Sequence, residues 1–194
     1  MSSLDLILAS ASPRRLELLA GIGVSARARP VDPDERPRPG ESATDYVVRL
    51  AREKALAGQR LSKEGLPVLG GDTALSLDGE IIGKPRGRED AAHTLARLSG
   101  IAHQVISAVA VTGPAGLLEA CVTSDVHFRD LTPMEIEAYV AGGEGDDKAG
   151  GYAIQGRAAI FISRIEGSWS AIVGLPLCET SQLLTCQGVT PWLR

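Results

Sequence analysis

Residues 4–15 of the chain read LDLILASASPRR, a short apolar run that leads directly into the start of a helix. The run over residues 4–9 has the length and composition of a buried strand. Ser12 and Pro13 follow as helix N-cap and first helical residue, a position that suits proline because the backbone N–H it lacks would be unsatisfied there. We therefore expect a strand that feeds a helix, as in an α/β or α+β domain.

Strands and helices continue to alternate irregularly along the rest of the chain. Apolar residues at helical spacing predict an amphipathic helix from Ser42 to Gly58, and the proline-rich residues 30–40 before it are predicted to be a loop. Three more helices are predicted, over residues 88–99, 132–142 and about 176–185. Four more strands are predicted, over residues 103–112 and 117–128, around Ala153 and over residues 159–165.

Length, charge and composition exclude several classes of protein. The 194 residues predict one compact domain, and a net charge of −4 with 4% aromatic residues argues against a nucleic-acid partner. No apolar run approaches the roughly 20 residues of a membrane span and no charged leader is seen, so we expect a cytoplasmic protein with no membrane partner. The three cysteines are widely spaced and predict neither a disulfide framework nor a zinc site.

Two arginines occupy the first turn of the helix that begins after Ser12. The helix macrodipole disfavours cations such as Arg14 and Arg15 at this end by about 0.3–1 kcal/mol each. A bound phosphate would meet both guanidinium groups and the free N–H groups of the turn, and its oxygens match the forked donors of arginine. Two interpretations stay open, a phosphate site that includes Ser10 or two arginines that point to solvent.

Lys54 lies at an unexpected place on the predicted amphipathic helix. It follows Val47 by seven residues and Leu50 by four, which places it on the apolar face of that helix. A lysine on such a face either extends its ammonium to water or meets an anion. The sequence does not choose between these two.

Asp72 follows two glycines in the segment PVLGGDTALSLDGEIIGKP, residues 67–85. We expect the strand to end at Gly70 and Gly71, where the missing side chains leave room for a ligand beside the carboxylate. A carboxylate in this position can hold a divalent ion or activate water. The alternative is an ordinary turn residue that starts a hairpin.

The pairing within this hairpin decides which residues are neighbours. A two-residue turn at Asp78 and Gly79 would pair Thr73 with Lys84, whereas a three-residue turn would pair Asp72 with Lys84. In either register, Lys84 lies opposite Asp72 or opposite the residue next to it, so the lysine and the carboxylate are neighbours.

Gln155 is the polar residue of a predicted apolar strand, residues 152–156. Its amide can read the hydrogen-bonding edge of a base, or it can face water. The charged residues Asp34 and Glu35 of the proline-rich loop, and residues 146–148 of a later glycine-rich loop, are interpreted as solvated. The three histidines have no ligand spacing, and no Ser-His-Asp set, P-loop or dinucleotide fingerprint is found.

Seven segments between about residue 4 and residue 184 form a further pattern: LASASPRRLELL, the pair Asp34–Glu35, AREKA, GGDTALSLDGEIIGKP, SDVHFRDLTPMEIEAYV, DKAGGYAIQG and IEGSWSAIVGLPLCET. Taken together and in this order, they resemble the Maf family of nucleotide pyrophosphatases. The chain departs from the family pattern by small-residue exchanges at Gly71 and within residues 151–153.

The resemblance implies one domain over residues 1–194 with an α/β fold. A mixed central sheet flanked by helices, and two lobes around a substrate cleft, would make it similar to inosine triphosphate pyrophosphatases. The implied reaction is hydrolysis of a nucleoside triphosphate to the monophosphate and pyrophosphate with a divalent cation, Mg²⁺ or Mn²⁺. Many members are homodimers. The segment DKAGGYAIQG is similar to the branch that acts on dTTP and UTP, rather than to the branch that prefers 7-methyl-GTP.

Two alternatives accompany this interpretation. The family is also linked to inhibition of septum formation, so a non-catalytic nucleotide-binding regulator is the alternative from another class. Modified pyrimidine nucleotides are alternative substrates. The sequence does not distinguish them from dTTP and UTP.

The resemblance also assigns roles to residues of this chain. Asp72 matches the proton acceptor, with Lys54 and Lys84 as its catalytic neighbours, and Glu35 would share a divalent ion with Asp72. The residues that match substrate-binding positions are Ser10, Arg14, Arg15, Thr73 and Gln155. Among these, Arg14, Thr73 and Gln155 match positions tied to substrate choice.

Overall fold

Seven strands form one mixed sheet at the centre of the protein, whose computed structural model describes residues 4–191. The three residues at each end of the predicted domain 1–194 lie outside the described residues. The strands are β1 (Leu6–Leu8), β2 (Ala26–Ala28), β3 (Val68–Leu77), β4 (Glu80–Ile82), β5 (Ala102–Gly113), β6 (Gly116–Phe128) and β7 (Ile162–Glu166). Their order is β2-β1-β3-β5-β6-β7, and β4 pairs with β3. β1 runs parallel to β2 and β3, and the other pairs are antiparallel.

Six α-helices pack around this sheet within residues 4–191. They are α1 (Pro13–Gly21), α2 (Ala43–Leu61), α3 (Arg88–Leu98), α4 (Pro133–Ala141), α5 (Trp169–Val173) and α6 (Leu177–Cys186). Two short 3₁₀ helices, Ala149–Gly151 and Arg157–Phe161, interrupt the connection from α4 to β7. No helix in this part of the chain combines the length and the apolar character that crossing a membrane requires.

The predicted starts of the helices are confirmed. α1 begins at Pro13 directly after Ser12. α2 begins after Ser42, whose side chain accepts a hydrogen bond from the backbone N–H of Asp45. Thr132 and Glu135 form a reciprocal capping box at the start of α4. Each signal acts within three or four residues, which is why the sequence alone predicts it.

The expectation that the strand ends at Gly70 and Gly71 is wrong. β3 continues to Leu77, because β5 pairs with it without interruption from Val68↔Thr112 to Ser76↔Gln104. Asp72 therefore lies in the middle of a strand, opposite Ala108. The continuous ladder outweighs the weak strand propensity of two adjacent glycines.

The segment around Gln155 is also not the predicted strand. Residues 154–156 form a turn between the two 3₁₀ helices, and β7 starts only at Ile162. The helix α5 was not predicted. Its five residues are too few to show a helical period.

The β3–β4 hairpin has the two-residue turn. Leu77 pairs with Glu80, and Asp78 and Gly79 have φ angles of 51° and 84°, as both central residues of a type I′ turn require. β4 ends at Ile82, so neither Thr73 nor Asp72 pairs with Lys84, and the expected neighbouring pair does not form.

An opening in the sheet lies beside the middle of β3. On one side of this strand, β1 pairs with Val68 and Leu69, and β4 pairs with residues 75–77. Among the described residues, no strand pairs with residues 70–74 on that side. Asp72 and Thr73 lie at the centre of this opening, so the sheet leaves room for a ligand within itself.

The two faces of β3 are covered differently. Leu69 belongs to a hydrophobic cluster with α1, α5 and α6, whereas Leu75 and Leu77, on the same face, belong to a second cluster with α3 and α4. Thr73 lies between the two clusters. The opposite face packs on α2, which approaches so closely at Gly70 that a Cβ there would overlap the backbone of Ala51 and Ala55.

Candidate functional site

One cleft of about 850 Å³ opens at the middle of β3. It is lined by all nine residues that the sequence singled out: Ser10, Arg14, Arg15, Glu35, Lys54, Asp72, Thr73, Lys84 and Gln155. They come from α1, α2, β3 and four loops, so only the fold brings them together.

Lys54 lies between two carboxylates at this cleft. Its Nζ donates to Asp72 Oδ1 over 2.7 Å and is also 2.7 Å from Glu35 Oε1. The side chains of Lys54 and Asp72 are 9% and 11% exposed, whereas that of Glu35 is 52% exposed. Of the two interpretations of Lys54, the structure selects the contact with anions.

The charges around Glu35 favour its ionised form. Partial burial acts to raise the pKa of this carboxyl, but the hydrogen bond from Lys54 and the charges of Lys54, Lys84 and Arg15 outweigh it. The pKa of Glu35 therefore lies below its usual value, and the carboxylate is available at neutral pH as an acceptor or as an oxygen ligand.

Arg15 is buried and is bound mainly to the protein itself. Its Nε donates to the Gly174 carbonyl over 2.8 Å, and its terminal nitrogens donate to Ser10 Oγ over 3.1 Å and to Thr73 Oγ1 over 3.2 Å. Burial lowers the pKa of this guanidinium, and the charge of Asp72 opposes that effect. Arg15 thus ties α1, β3 and the residue after α5 together beneath the cleft and keeps a positive charge there.

Arg14 and Lys84 differ from Arg15 in having no hydrogen-bond or ion-pair partner among the described residues. Arg14 is half-buried and Lys84 is exposed, both line the cleft, and neither side chain makes a hydrogen bond or an ion pair within residues 4–191. Two unpaired cations beside a buried Lys54 form a site suited to a ligand with several negative charges.

The hydroxyl of Thr73 is part of a short chain of hydrogen bonds. Ser107 Oγ donates to the Ala171 carbonyl over 2.5 Å and is 2.7 Å from Thr73 Oγ1. Because the Ser107 proton is already used, Thr73 is the donor of the second bond. Ser107 was missed by the sequence analysis, and no pattern could have found it, since it is 34 residues from Thr73.

The turn that carries Gln155 is fixed from both sides. The N–H of Ala153 donates to Tyr139 Oη over 3.1 Å, and the N–H of Arg157 donates to the carboxylate of Glu144 over 2.9 Å. The amide of Gln155 itself is exposed to the cleft. A side chain with a fixed backbone and a free amide can distinguish ligands by their hydrogen-bonding edge.

The carboxylate pair can be compared with what a divalent ion requires. In residues 4–191 no group of three or more His, Cys, Asp or Glu side chains converges on one point. Glu35 and Asp72 nevertheless both reach the same Lys54 ammonium. One or two carboxylates completed by substrate phosphates are the ligands that Mg²⁺ usually takes in proteins. These two residues therefore fit such an ion when a phosphate ligand is present.

Known proteins of similar sequence match nearly the whole chain. The sequence profile described as "Maf-like protein" matches residues 5–187. A dTTP/UTP pyrophosphatase of Escherichia coli O157:H7 is 52% identical over 181 residues, which cover 93% of this chain and 92% of the relative. The dTTP/UTP pyrophosphatase of Yersinia pestis bv. Antiqua is 49% identical over 180 residues, covering 93% of this chain and 91% of that protein.

A solved structure with a similar arrangement is a dITP/XTP pyrophosphatase of Mycobacterium abscessus. It is 20% identical with a TM-score of 0.42, over 72% of this chain and 95% of that one. The α/β fold class of this chain rests on its own mixed sheet and flanking helices.

Proposed function

The chain belongs to the Maf family, and from this premise we propose that it is a single-domain enzyme that hydrolyses dTTP and UTP to the nucleoside monophosphate and pyrophosphate. The relatives that are named dTTP/UTP pyrophosphatases match 93% of the chain. The observation that carries the proposal is the cleft at β3, where a buried Lys54–Asp72 pair adjoins two unpaired cations. A small free nucleotide as substrate also fits the cytoplasmic location expected from the sequence.

Asp72 is the proposed general base. Its Oδ1 accepts from Lys54, and no hydrogen bond within residues 4–191 occupies its Oδ2. That second oxygen accepts a proton from a water, whose oxygen attacks the α-phosphorus. The bond from the α-phosphorus to the bridging oxygen breaks, and the bridging oxygen leaves with pyrophosphate.

The cations stabilise the charge of the triphosphate and of the leaving group. Arg14 and Lys84 can meet phosphate oxygens, and the hydrogen bond from Lys54 holds the Asp72 carboxylate in place. Arg15 and Ser10 lie beneath them and hold the first turn of α1 against β3. Phosphoryl transfer depends mainly on such positioning and charge stabilisation.

Glu35 and Asp72 are the residues that would hold a divalent cation, Mg²⁺ or Mn²⁺. When bound, such an ion neutralises charge on the phosphate oxygens during attack. The carboxylate of Glu35 is kept ionised by its neighbours and faces the cleft. Its part in the reaction is to offer an oxygen ligand beside Asp72.

Thr73 and Gln155 are the proposed contacts to the pyrimidine. A buried or partly buried polar group that a wrong base leaves unpaired costs free energy, so such groups discriminate between bases.

The homodimer expected for the family would be checked separately by sedimentation.

The test is pyrophosphate release from dTTP, UTP, CTP, 7-methyl-GTP and 5-methyl-UTP, with Mg²⁺ or Mn²⁺, by the wild type and Asp72→Asn. We expect dTTP and UTP to be hydrolysed. Asp72→Asn should lower kcat by about 10²–10⁴-fold, the usual contribution of a general base. Nucleotide binding, measured by calorimetry, should persist in this variant.

Three outcomes would contradict the proposal or change its substrate. Comparable turnover in Asp72→Asn would remove the base assignment. Binding of nucleotides by the wild type without any turnover would instead support the non-catalytic regulator. Hydrolysis of 5-methyl-UTP in preference to dTTP and UTP would identify modified pyrimidine nucleotides as the substrates.

A further inference from the structure

The loop that carries Glu35 is held by two side chains of α2. Tyr46 Oη donates to the Glu35 carbonyl over 2.9 Å. The terminal nitrogens of Arg49 donate to the carbonyls of Asp34 over 3.3 Å and of Arg36 over 3.2 Å. Three consecutive carbonyls, centred on Glu35, are thus bound from one turn of one helix.

Arg49 is itself fixed in place. Its Nε donates to Glu41 Oε1 over 2.5 Å and a terminal nitrogen donates to Glu41 Oε2 over 2.8 Å. Its guanidinium lies 5.5 Å from the centre of the Tyr46 ring. The side chains of Arg49 and Glu41 are 11% and 7% exposed. A forked pair with this little exposure has a defined geometry that a lysine could not reproduce.

The carboxylate of Glu35 needs this support. Its side chain is 52% exposed and is paired with Lys54 alone among the described residues. An ion pair with that exposure contributes little to holding a chain segment. Residues 30–40 contain no regular helix or strand that could hold Glu35 instead.

We propose that Arg49 and Tyr46 are positioning residues, which hold the main chain around Glu35 so that its carboxylate stays at Lys54 in the cleft, and which affect the reaction only through Glu35. The inference rests on the proposed function. Because Lys54 is on the same helix, α2 sets both partners of the Glu35–Lys54 contact.

The test is a double-mutant cycle of Glu35→Gln and Arg49→Met, with pyrophosphate release from dTTP and amide hydrogen exchange of Arg36 and Arg38, whose N–H groups donate to Asp34 Oδ1 and Glu41 Oε2, as its two readouts. Arg52→Met is the matched control. Arg52 is on the same helix and is also paired through two nitrogens with one carboxylate, that of Glu119, at 2.7 Å each. Arg52 donates to no carbonyl of the loop.

We expect Arg49→Met to lower kcat/KM by about 10–100-fold, since displacement of a site group by 1 Å has effects of that size. The double variant should be within about twofold of Glu35→Gln alone, because two changes that act through one group are not additive. Exchange of the Arg36 and Arg38 amides should be at least about tenfold faster in Arg49→Met, whereas Arg52→Met should match the wild type in both readouts.

Several outcomes would overturn the inference. If the losses from Glu35→Gln and Arg49→Met multiply, Arg49 acts elsewhere. If Glu35→Gln is fully active, Glu35 has no role for Arg49 to support, although the proposed function would stand. If the wild type hydrolyses no nucleotide, the proposed function itself fails. If hydrogen exchange is unchanged in Arg49→Met, Arg49 does not hold the loop, whatever the enzyme hydrolyses. If Arg49→Met does not fold, Tyr46→Phe, which removes only one hydroxyl, is measured in its place with the same two readouts. We expect changes in the same direction but of smaller size.

Discussion

The ammonium group of Lys54 is nearly buried, and burying a charged group costs free energy of desolvation. Its side chain is 9% exposed and its ammonium is shared between Asp72 and Glu35. A buried pair of this kind adds little net stability, but removal of one partner leaves the other charge without compensation. At the scale of single residues, the contact therefore serves to fix the position of the Asp72 carboxylate more than to stabilise the fold.

Lys54→Met should lower the free energy of unfolding by about 3 kcal/mol at pH 7, because it leaves the nearly buried Asp72 carboxylate unpaired. Adding Asp72→Asn should restore most of the loss, since the uncompensated charge is then gone. Urea unfolding at pH 7 measures both. Lys84→Met is the control, because Lys84 is exposed and unpaired within residues 4–191, and its change should stay within about 0.5 kcal/mol. A Lys54→Met variant as stable as the wild type would contradict this account.

At the scale of elements, the site depends on how closely α2 lies against β3. Gly70 makes this approach possible, since any Cβ there would meet the backbone of α2 at Ala51 and Ala55. Helix backbone cannot rotate away as a side chain can. The same contact sets the distance between Lys54 on α2 and Asp72 on β3.

Gly70→Ala should therefore destabilise the protein by about 3 kcal/mol, at the upper end of the usual range for an overpacked core, and should also reduce activity. Thermal or urea unfolding together with pyrophosphate release checks this. Gly21→Ala at the end of α1 is the matched control, because an added Cβ there meets nothing within 4 Å. Equal stability and activity of Gly70→Ala and Gly21→Ala would show that α2 can move away from β3 without loss of free energy.

Helices and turns of this fold could be predicted where the deciding residues are close in sequence. Ser12 with Pro13, and the turn at Asp78 and Gly79, act within a few residues and are confirmed, whereas the sequence leaves the length of that turn open between two and three residues. The length of β3 could not be predicted, because it is set by pairing with β5, whose residue 108 lies opposite Asp72. Distant pairing overrides a local signal in such cases.

The site was predictable as a set of residues but not as an arrangement. The motifs named Lys54, Asp72 and Arg15, and the structure places all three at one cleft. The partner of Arg15 at Gly174 is 159 residues away, so no spacing rule could show that this arginine is bound to the protein rather than exposed. Arg49 was missed because nothing in the sequence of its helix distinguishes it from other surface arginines. Its role follows only from the structure, which places residues 30–40 beside it.

At the scale of the whole molecule, the pH dependence of folding should report on His103. Its side chain is 2% exposed, and its Nε2 is 2.7 Å from Tyr152 Oη, within the cluster that packs on α3 and α4. Burial, aided by the charge of His127 and opposed by that of Asp125, lowers the pKa of His103 to about 4. The unfolded chain takes up this proton near pH 6.5, so the unfolded state binds more protons between these two values.

Stability should consequently fall as the pH is lowered from 6.5 towards 4. Between pH 7 and pH 4.5, the wild type should lose about 2 kcal/mol more than His103→Gln, as measured by urea unfolding at both values. His93→Gln is the control, since His93 is exposed on α3. Equal losses in the wild type and in His103→Gln would show that His103 is not kept neutral by the fold.

The opening beside β3 also exposes part of the main chain. The Leu69 carbonyl accepts from the N–H of Ala9, so it points towards β1. Because peptide groups of a strand alternate in direction, those of Gly71 and Thr73 point to the same side, where no strand pairs with them among residues 4–191. Each offers a donor and an acceptor that no substitution other than proline removes. Alanine substitutions along β3 would therefore not detect this part of the site. It is created by the topology of the sheet and not by any particular side chain.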